Sequence, residues 1–451
     1  MSFRSQCVVH KRCGNPHPNP LPGQGEGTNR IVALALTAVL VLVGAGFAHG
    51  GDSIGYQDPP QLRALIKEGL ARNPRIAAAR LHWQAQTKVP IQAGTLPDPQ
   101  LTLQPLSVGG PLPGTGLTTS DFAYTGFGAS QTIPFPGKLG LASTIAEKDA
   151  QSAGQEVETA RREVREKIRE LYFELFYHTK LLAVLNLTRD ELERIADVAQ
   201  THYRVGHGLQ HDVVKAQLKQ TEILKDLAMH HEEEHTANLQ LKALLGRDED
   251  SADIQTGEVT PSRIELSAAQ LRNLAVAHAP QLKMLRIASE SGGDKLKLAR
   301  KGYGPDFSVG YMYQKTGPGF RDYYMLTLGA TVPLYFWRKQ TPAVQQAALE
   351  LEAARKQEAA GELEVSSGAE SAMVALRTAD RILKIYREGL LPQGRNSLDS
   401  AFAAYRVGQA DFQTLISALT DLYNLEQEYY RAVADHEMAA ARIEQFIEED
   451  R

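Results

Sequence analysis

Asp306-Phe307-Ser308-Val309-Gly310-Tyr311-Met312-Tyr313-Gln314 is the stretch on which the fold turns. Side chains alternate across a strand, so Phe307, Val309, Tyr311 and Tyr313 share one face and Ser308, Gly310, Met312 and Gln314 share the other. After a loop around Gly317-Pro318-Gly319 the chain returns through Tyr324, Leu326, Leu328, Ala330 and Val332, with Met325, Thr327, Gly329 and Thr331 opposite. An apolar face backed by small and polar residues suits the wall of a membrane β-barrel, although a soluble antiparallel sheet alternates in a similar way.

A weaker pair lies earlier. Leu101 and Leu103 alternate with Thr102 and Gln104, and a Gly/Pro/Thr-rich loop then leads to Asp121–Ile133. The expected strands are about 99–107, 121–133, 306–314 and 322–333. Four such strands cannot close a barrel, and an open edge in lipid leaves backbone groups unpaired. Either the sheet is soluble or several chains pool their strands. Three chains supply about 12, enough to enclose an aqueous channel, which points to a homotrimer.

Between the strand pairs lie tracts free of glycine and proline: Gln155 to Val205, Leu209 to Leu245 and Gln409 to Arg451. They are rich in Ala, Leu, Glu, Gln, Lys and Arg, the best helix formers. Apolar positions recur at three-to-four spacing, as in Ile168, Leu171, Leu175 and Leu182. A helix of about 50 residues reaches roughly 75 Å, longer than compact enzymes use.

The two halves repeat. Pro74 to Pro99 and Pro280 to Pro305 align without a gap. Pro99-Gln100-Leu101-Thr102-Leu103 matches Pro305-Asp306-Phe307-Ser308-Val309, and Thr132-Ile133-Pro134 matches Thr331-Val332-Pro333. Tyr203-Arg204-Val205-Gly206 recurs letter for letter as Tyr405-Arg406-Val407-Gly408. Each half therefore reads helix, β-hairpin, long helix, tight turn, long return helix, an internal duplication and not a solenoid. The first repeat is placed at 52–245, a polar linker without helical periodicity at 246–263, and the second repeat at 264–451.

With Asn73-Pro74, Pro97-Asp98-Pro99 and Gln131-Thr132-Ile133-Pro134-Phe135-Pro136-Gly137-Lys138, these turns resemble the TolC-type outer-membrane efflux proteins over essentially the whole mature chain. The resemblance implies a mainly α fold with a small β part. Three chains would form a β-barrel of about 12 strands, four per chain, continued by a long periplasmic α-helical barrel. It implies an equatorial belt where 246–263 lies. It implies a passive outer-membrane duct, not an enzyme, without cofactors, working with a periplasmic adaptor and an inner-membrane pump and binding no nucleic acid. The tips that dock the adaptor would be Tyr203, Arg204, Val205, Gly206, Tyr405, Arg406, Val407 and Gly408, with the Tyr, Arg and Val of both turns exposed. Asp212 and Tyr405 match a periplasmic gate, in which a hydroxyl bonded to a carboxylate contributes about 1.5–3 kcal/mol. The sequence departs from some relatives at Ala410, where they carry a gating arginine, and at Thr414 and Ser417, where they carry aspartates. The Pro-Phe-Pro-Gly-Lys strand exit resembles the heavy-metal branch of the family, so heavy-metal cations are a candidate cargo.

The bulk numbers argue against a nucleic-acid binder, and the N-terminus argues for export. The 451 residues are 43% hydrophobic and 23% charged with a formal net charge of -4, without the basic excess of a nucleic-acid binder. Arg30, the apolar run Ile31 to Val43 and Gly46-Phe47-Ala48 read as a signal peptide over 31–48. Residues 1–30 read as a non-native or disordered extension, and both cysteines, Cys7 and Cys13, fall in it. The cleaved chain then has no thiol for a disulfide, a metal or a nucleophile.

Two competing readings are an exported structural coiled coil without a channel and a zinc hydrolase. The second rests on His231-Glu232-Glu233-Glu234-His235, the HExxH pattern that places two histidines on one helix face. Its flanks are polar and no third ligand follows at zincin spacing, so the stretch reads as a solvated face capable at most of weak surface metal binding. No residue is assigned as catalytic, cofactor-binding or metal-binding. No phosphate loop, Ser/His/Asp signature or dinucleotide fingerprint is present, so a partner must supply the energy for transport.

Overall fold

The computed structural model describes residues 58–447; the signal-peptide and extension expectations fall outside the described residues. Helices α1 (Pro60–Arg72), α2 (Pro74–Gln86) and α3 (Val89–Gly94) lead to strands β1 (Gln100–Leu106) and β2 (Tyr124–Ile133). Helix α4 (Lys138–Arg204) then runs 67 residues, about 100 Å at 1.5 Å per residue, and α5 (Gln210–Leu245) returns.

The second half repeats the order with α6 (Ala268–His278), α7 (Pro280–Lys301), β3 (Asp306–Thr316) and β4 (Tyr323–Thr331). Its long helix is not continuous. Helix α8 (Gln340–Ile385) passes through a π-helical turn, Tyr386–Leu390, into α9 (Leu391–Arg406), and α10 (Phe412–Ile447) returns. Pro392 explains the break: proline has no N–H to donate and its ring crowds the carbonyl four residues back, so a widened turn accommodates it.

Asn73 shows how one motif sets the local fold. Its side chain accepts from the Arg75 N–H at 2.9 Å and so caps α2, with Pro74 at the first helical position where no donor is needed. Its Nδ2 donates to the Leu244 carbonyl at 2.9 Å, satisfying an orphan acceptor at the end of α5.

The four strands form one antiparallel sheet in the order β1-β2-β3-β4, so the central pairing, β2 with β3, joins the two halves. Asp306 locks the sheet's base. Its Oδ1 accepts from the Phe135 N–H and from Lys138 Nζ, both at 2.7 Å, which gives the Pro-Phe-Pro-Gly-Lys exit a structural task.

The core runs along α4. Ile168, Tyr172, Phe173, Leu175, Leu181 and Leu185 are buried there against α1, α5 and α10. The connection after α5 is held to this bundle by polar contacts. Ile254 N–H donates to buried Asn238 at 2.8 Å, and buried Lys242 reaches Asp253 at 2.7 Å. Farther along, Ser262 donates twice to buried Glu437, from its N–H and its hydroxyl, at 2.8 Å each.

Candidate functional site: helical tips and sheet faces

Cross-strand partners in an antiparallel sheet point to the same side, so the register reveals each face. Leu103 pairs with Phe127, Phe127 with Tyr313 and Tyr313 with Tyr324. Two residues along, the row is Leu101, Ala129, Tyr311 and Leu326. One face of all four strands is therefore mostly apolar, with Gln131, Thr125 and Lys315 as polar members, and its residues Leu101, Phe127, Tyr311, Leu326 and Leu328 are exposed. The opposite face carries Thr102, Gly128, Ser130, Gly310, Met312 and Thr327. Just beyond β4, Leu334, Tyr335, Phe336 and Trp337 are also exposed, a cluster of the composition that barrel walls carry at the lipid–water boundary.

At the far end of the helices the two Tyr-Arg-Val-Gly turns have one backbone design. Gly206 and Gly408 are left-handed, at φ 76 and 73. The residue after each glycine donates five residues back, His207 to the His202 carbonyl at 2.9 Å and Gln409 to Ala404 at 2.8 Å. The glycine itself donates to the tyrosine carbonyl, at 3.1 Å in both. This Schellman closure accounts for the repeated glycine, which needs no steric penalty in that conformation.

The side chains differ. Tyr203, Arg204 and Val205 are exposed, as are Arg406 and Val407. Tyr405 is not: it is 5% exposed, against 46% for Tyr203. Its ring lies between His202, at 5.2 Å, and Phe412, edge-on at 5.8 Å. The expectation of two exposed tyrosines is thus corrected, because the two hairpins of one chain pack against each other at this point and take up the second ring.

The gate residues stand near each other without bonding. Asp212 raises the Tyr405 pKa through its charge, after burial as the larger cause. The Tyr405 hydroxyl is buried without a hydrogen-bond partner among the described residues. The Asp212 carboxylate accepts from the Leu209 N–H at 3.4 Å, at the start of α5. The equivalent end of α10 is capped by Asp411, which accepts from the Thr414 N–H at 2.8 Å and from its hydroxyl at 2.5 Å. These contacts with Thr414 hold the Asp411 carboxyl below its usual range. Ser417 accepts from Gln413 at 3.1 Å, so Thr414 is tied to the Asp411 carboxylate and Ser417 to a neutral amide.

The HExxH stretch does not form a ligand pair. The His231 side chain is 64% exposed, with Glu234 at 3.7 Å, and His235 is exposed as well; among the described residues neither belongs to a cluster of three ligating side chains. Periodicity could not show that the preceding residue, His230, turns inward toward His178 on α4, at 3.3 Å.

A sheet with one exposed, mostly apolar face and two edges unpaired among the described residues, continued by helices far longer than a globular domain uses, suits a channel protein of the outer membrane. Among the described residues no helix is long and apolar enough to cross a membrane. The family comparison agrees with this class. Residues 65–247 and 271–447, the greater part of the chain and one match per half, fit the family described as outer membrane efflux protein, and the chain belongs to that family. It is an efflux channel protein of the outer membrane and not an enzyme.

Among solved structures the fold is similar to that of VceC from Vibrio cholerae, at 18% identity and TM-score 0.71 over 86% of this chain and 96% of that one. It is also similar to the outer-membrane channel OprN, at 13% identity and TM-score 0.75 over 86% and 90%. A third similar structure is CusC, studied for folding and transmembrane channel formation, at 14% identity and TM-score 0.75 over 87% and 95%. No curated protein matches the chain in sequence.

Proposed function

We propose that three copies of this chain close a barrel of about 12 strands and form a passive exit duct, fed by an inner-membrane pump through a periplasmic adaptor. The observation that carries this reading is the sheet itself. It ends in β1 on one side and β4 on the other, with its apolar face bare, and in lipid those edges require partners. Copies of the same chain supply complementary edges by rotation about a common axis.

In this reading Tyr203, Arg204, Val205 and Gly206 form one adaptor-docking tip, and Arg406, Val407 and Gly408 form the other. Tyr405 supports the second tip from beneath. The aperture is biased shut by Asp212 and Tyr405, whose unpartnered hydroxyl is the donor available to a carboxylate once neighbouring hairpins close in. The absence of arginine at Ala410 and of aspartates at Thr414 and Ser417 leaves this gate with few charges. Heavy-metal cations are the proposed cargo, on the strength of the Pro-Phe-Pro-Gly-Lys exit.

Single-channel recording of detergent-extracted protein in planar bilayers tests the duct and gate together. The expected result is a small resting conductance that rises in Asp212→Ala and in Tyr405→Phe. A protein that inserts but never conducts overturns the duct, and conductance unchanged in both variants overturns the gate.

A further inference from the structure

His178 on α4 and His230 and Glu233 on α5 bring three metal-ligating atoms together within 4.8 Å, with His178 buried and Glu233 half exposed. The Nδ1 atoms of the two histidines lie 3.3 Å apart. Glu233 Oε2 is 3.3 Å from His178 Nδ1 and 2.6 Å from His230 Nδ1. Ligands bonded at 2.0–2.1 Å around a tetrahedral zinc ion are separated by about 3.3 Å, so two of the three edges already have the required length. The third must open by about 0.7 Å, and the half-exposed Glu233 side chain has room to move.

The surroundings prepare the site. His178 Nε2 lies 3.3 Å from Glu174 Oε1, so a proton there would leave Nδ1 with its lone pair toward the cluster. This carboxylate–histidine arrangement is the one that orients imidazole ligands around zinc. Glu174 is held in turn by Arg431 of α10 at 3.0 Å. Without a metal, a proton on His230 can bridge Glu233 and His178, and a cation bound here would take that proton's place.

The fold does not itself demand these residues. The register set by the two Tyr-Arg-Val-Gly turns puts Asp380, Ala432 and Asp435 where the first repeat has His178, His230 and Glu233. The second hairpin builds the same helix pair with an alanine and two aspartates, so the His/His/Glu set is particular to the first.

We propose that His178, His230 and Glu233 form a binding site for one borderline divalent cation of the zinc type per chain, stapling α4 to α5 and leaving a fourth coordination position open. The site faces outward on the Glu233 side, which allows the ion to exchange. It stands on the packing of α4 against α5 and does not depend on the duct reading.

The test is calorimetric titration of full-length, tag-free, detergent-extracted protein with zinc chloride, and with cobalt chloride followed by visible absorption. Wild type should bind one zinc per chain and give the intense visible bands of tetrahedral cobalt. His230→Ala should weaken zinc binding by at least about 100-fold, and Glu174→Gln by about 10-fold. Glu233→Gln should abolish the cobalt bands. His231→Ala with His235→Ala should leave affinity within about twofold, since neither residue is a ligand here. His230 and Glu233 are not fully buried, so unchanged circular dichroism is expected to accompany their loss of binding. No zinc binding by wild type, full binding by His230→Ala, or a loss carried instead by the His231/His235 double variant each overturns the proposal.

Discussion

The two helical hairpins share a register and differ in what they bury. Gln340–Arg406 spans as many residues as Lys138–Arg204, and α5 and α10 are both 36 residues long. Yet α4 is unbroken where the second hairpin has a π turn, and Tyr203 is exposed where Tyr405 is buried. Arg169 of α4 is buried, bonded bidentately to Asp58 at 3.0 and 2.6 Å and also to Glu444. At the matching place in α8 stands Ser371, which is exposed. Duplication thus preserved length and turn geometry, which set where the tips and sheet lie. Side chains between those fixed points diverged according to which neighbours each helix meets.

The largest expected asymmetry is at that pair. Arg169→Ala removes the guanidinium that binds the buried Asp58 carboxylate bidentately and should lower stability by about 3–5 kcal/mol, whereas Ser371→Ala should stay within about 0.5 kcal/mol. Denaturant melts followed by circular dichroism in detergent check both, and equal effects would erase the distinction.

His436 comes next. It is fully buried between Glu437 at 2.8 Å and Asp380 at 2.9 Å. Burial is the largest single influence and works against the charged ring, but Glu437 and then Asp380 outweigh it and hold the His436 pKa above its ordinary value. A pKa raised by folding gives stability that is complete below about pH 6.5 and is lost as pH climbs through the raised value. His436→Gln should therefore cost about 2–3 kcal/mol near pH 6, and the difference from wild type should shrink at higher pH. Its counterpart in the first hairpin, Glu234, accepts from Thr179 at 2.9 Å and is partly exposed. Glu234→Gln should cost no more than about 0.5 kcal/mol.

The turns should behave alike. A Cβ at Gly206 or Gly408 meets nothing within 4 Å, so only the left-handed backbone opposes alanine. Gly206→Ala and Gly408→Ala should each cost about 1–2 kcal/mol, and unequal costs would show that one turn is strained by its neighbours. The smallest effect on stability belongs to the tyrosines. Tyr405→Phe removes an unpartnered buried hydroxyl, and Tyr203→Phe removes an exposed one, so both should lie within about 0.5 kcal/mol.

Much of this was legible in the sequence wherever a residue's task is local. Strand alternation told the apolar face of the sheet from the polar one, because the period of two is a property of a single strand. The glycine of each tip was legible because the turn's backbone requires it. Contacts between helices were not. HExxH drew the eye to His231 and His235, while the inward residue is His230, whose partner His178 lies on another helix. Periodicity shows which residues share a face, not which helix that face meets. The same limit hid the burial of Tyr405 and the Asp58–Arg169 pair, in which the partners come from distant parts of the chain.

The central claim is that β1 of one chain meets β4 of the next and that the ring closes at three. Cysteine pairs across that seam test it most directly, with Thr102→Cys on β1 scanned against Met325→Cys, Thr327→Cys and Gly329→Cys on β4, in a background carrying Cys7→Ser and Cys13→Ser. Oxidation of outer-membrane fractions should give a covalent ladder that stops at the trimer for at least one pair, and reduction should abolish it. Absence of cross-links for every pair, or a ladder that continues past three, would contradict the account.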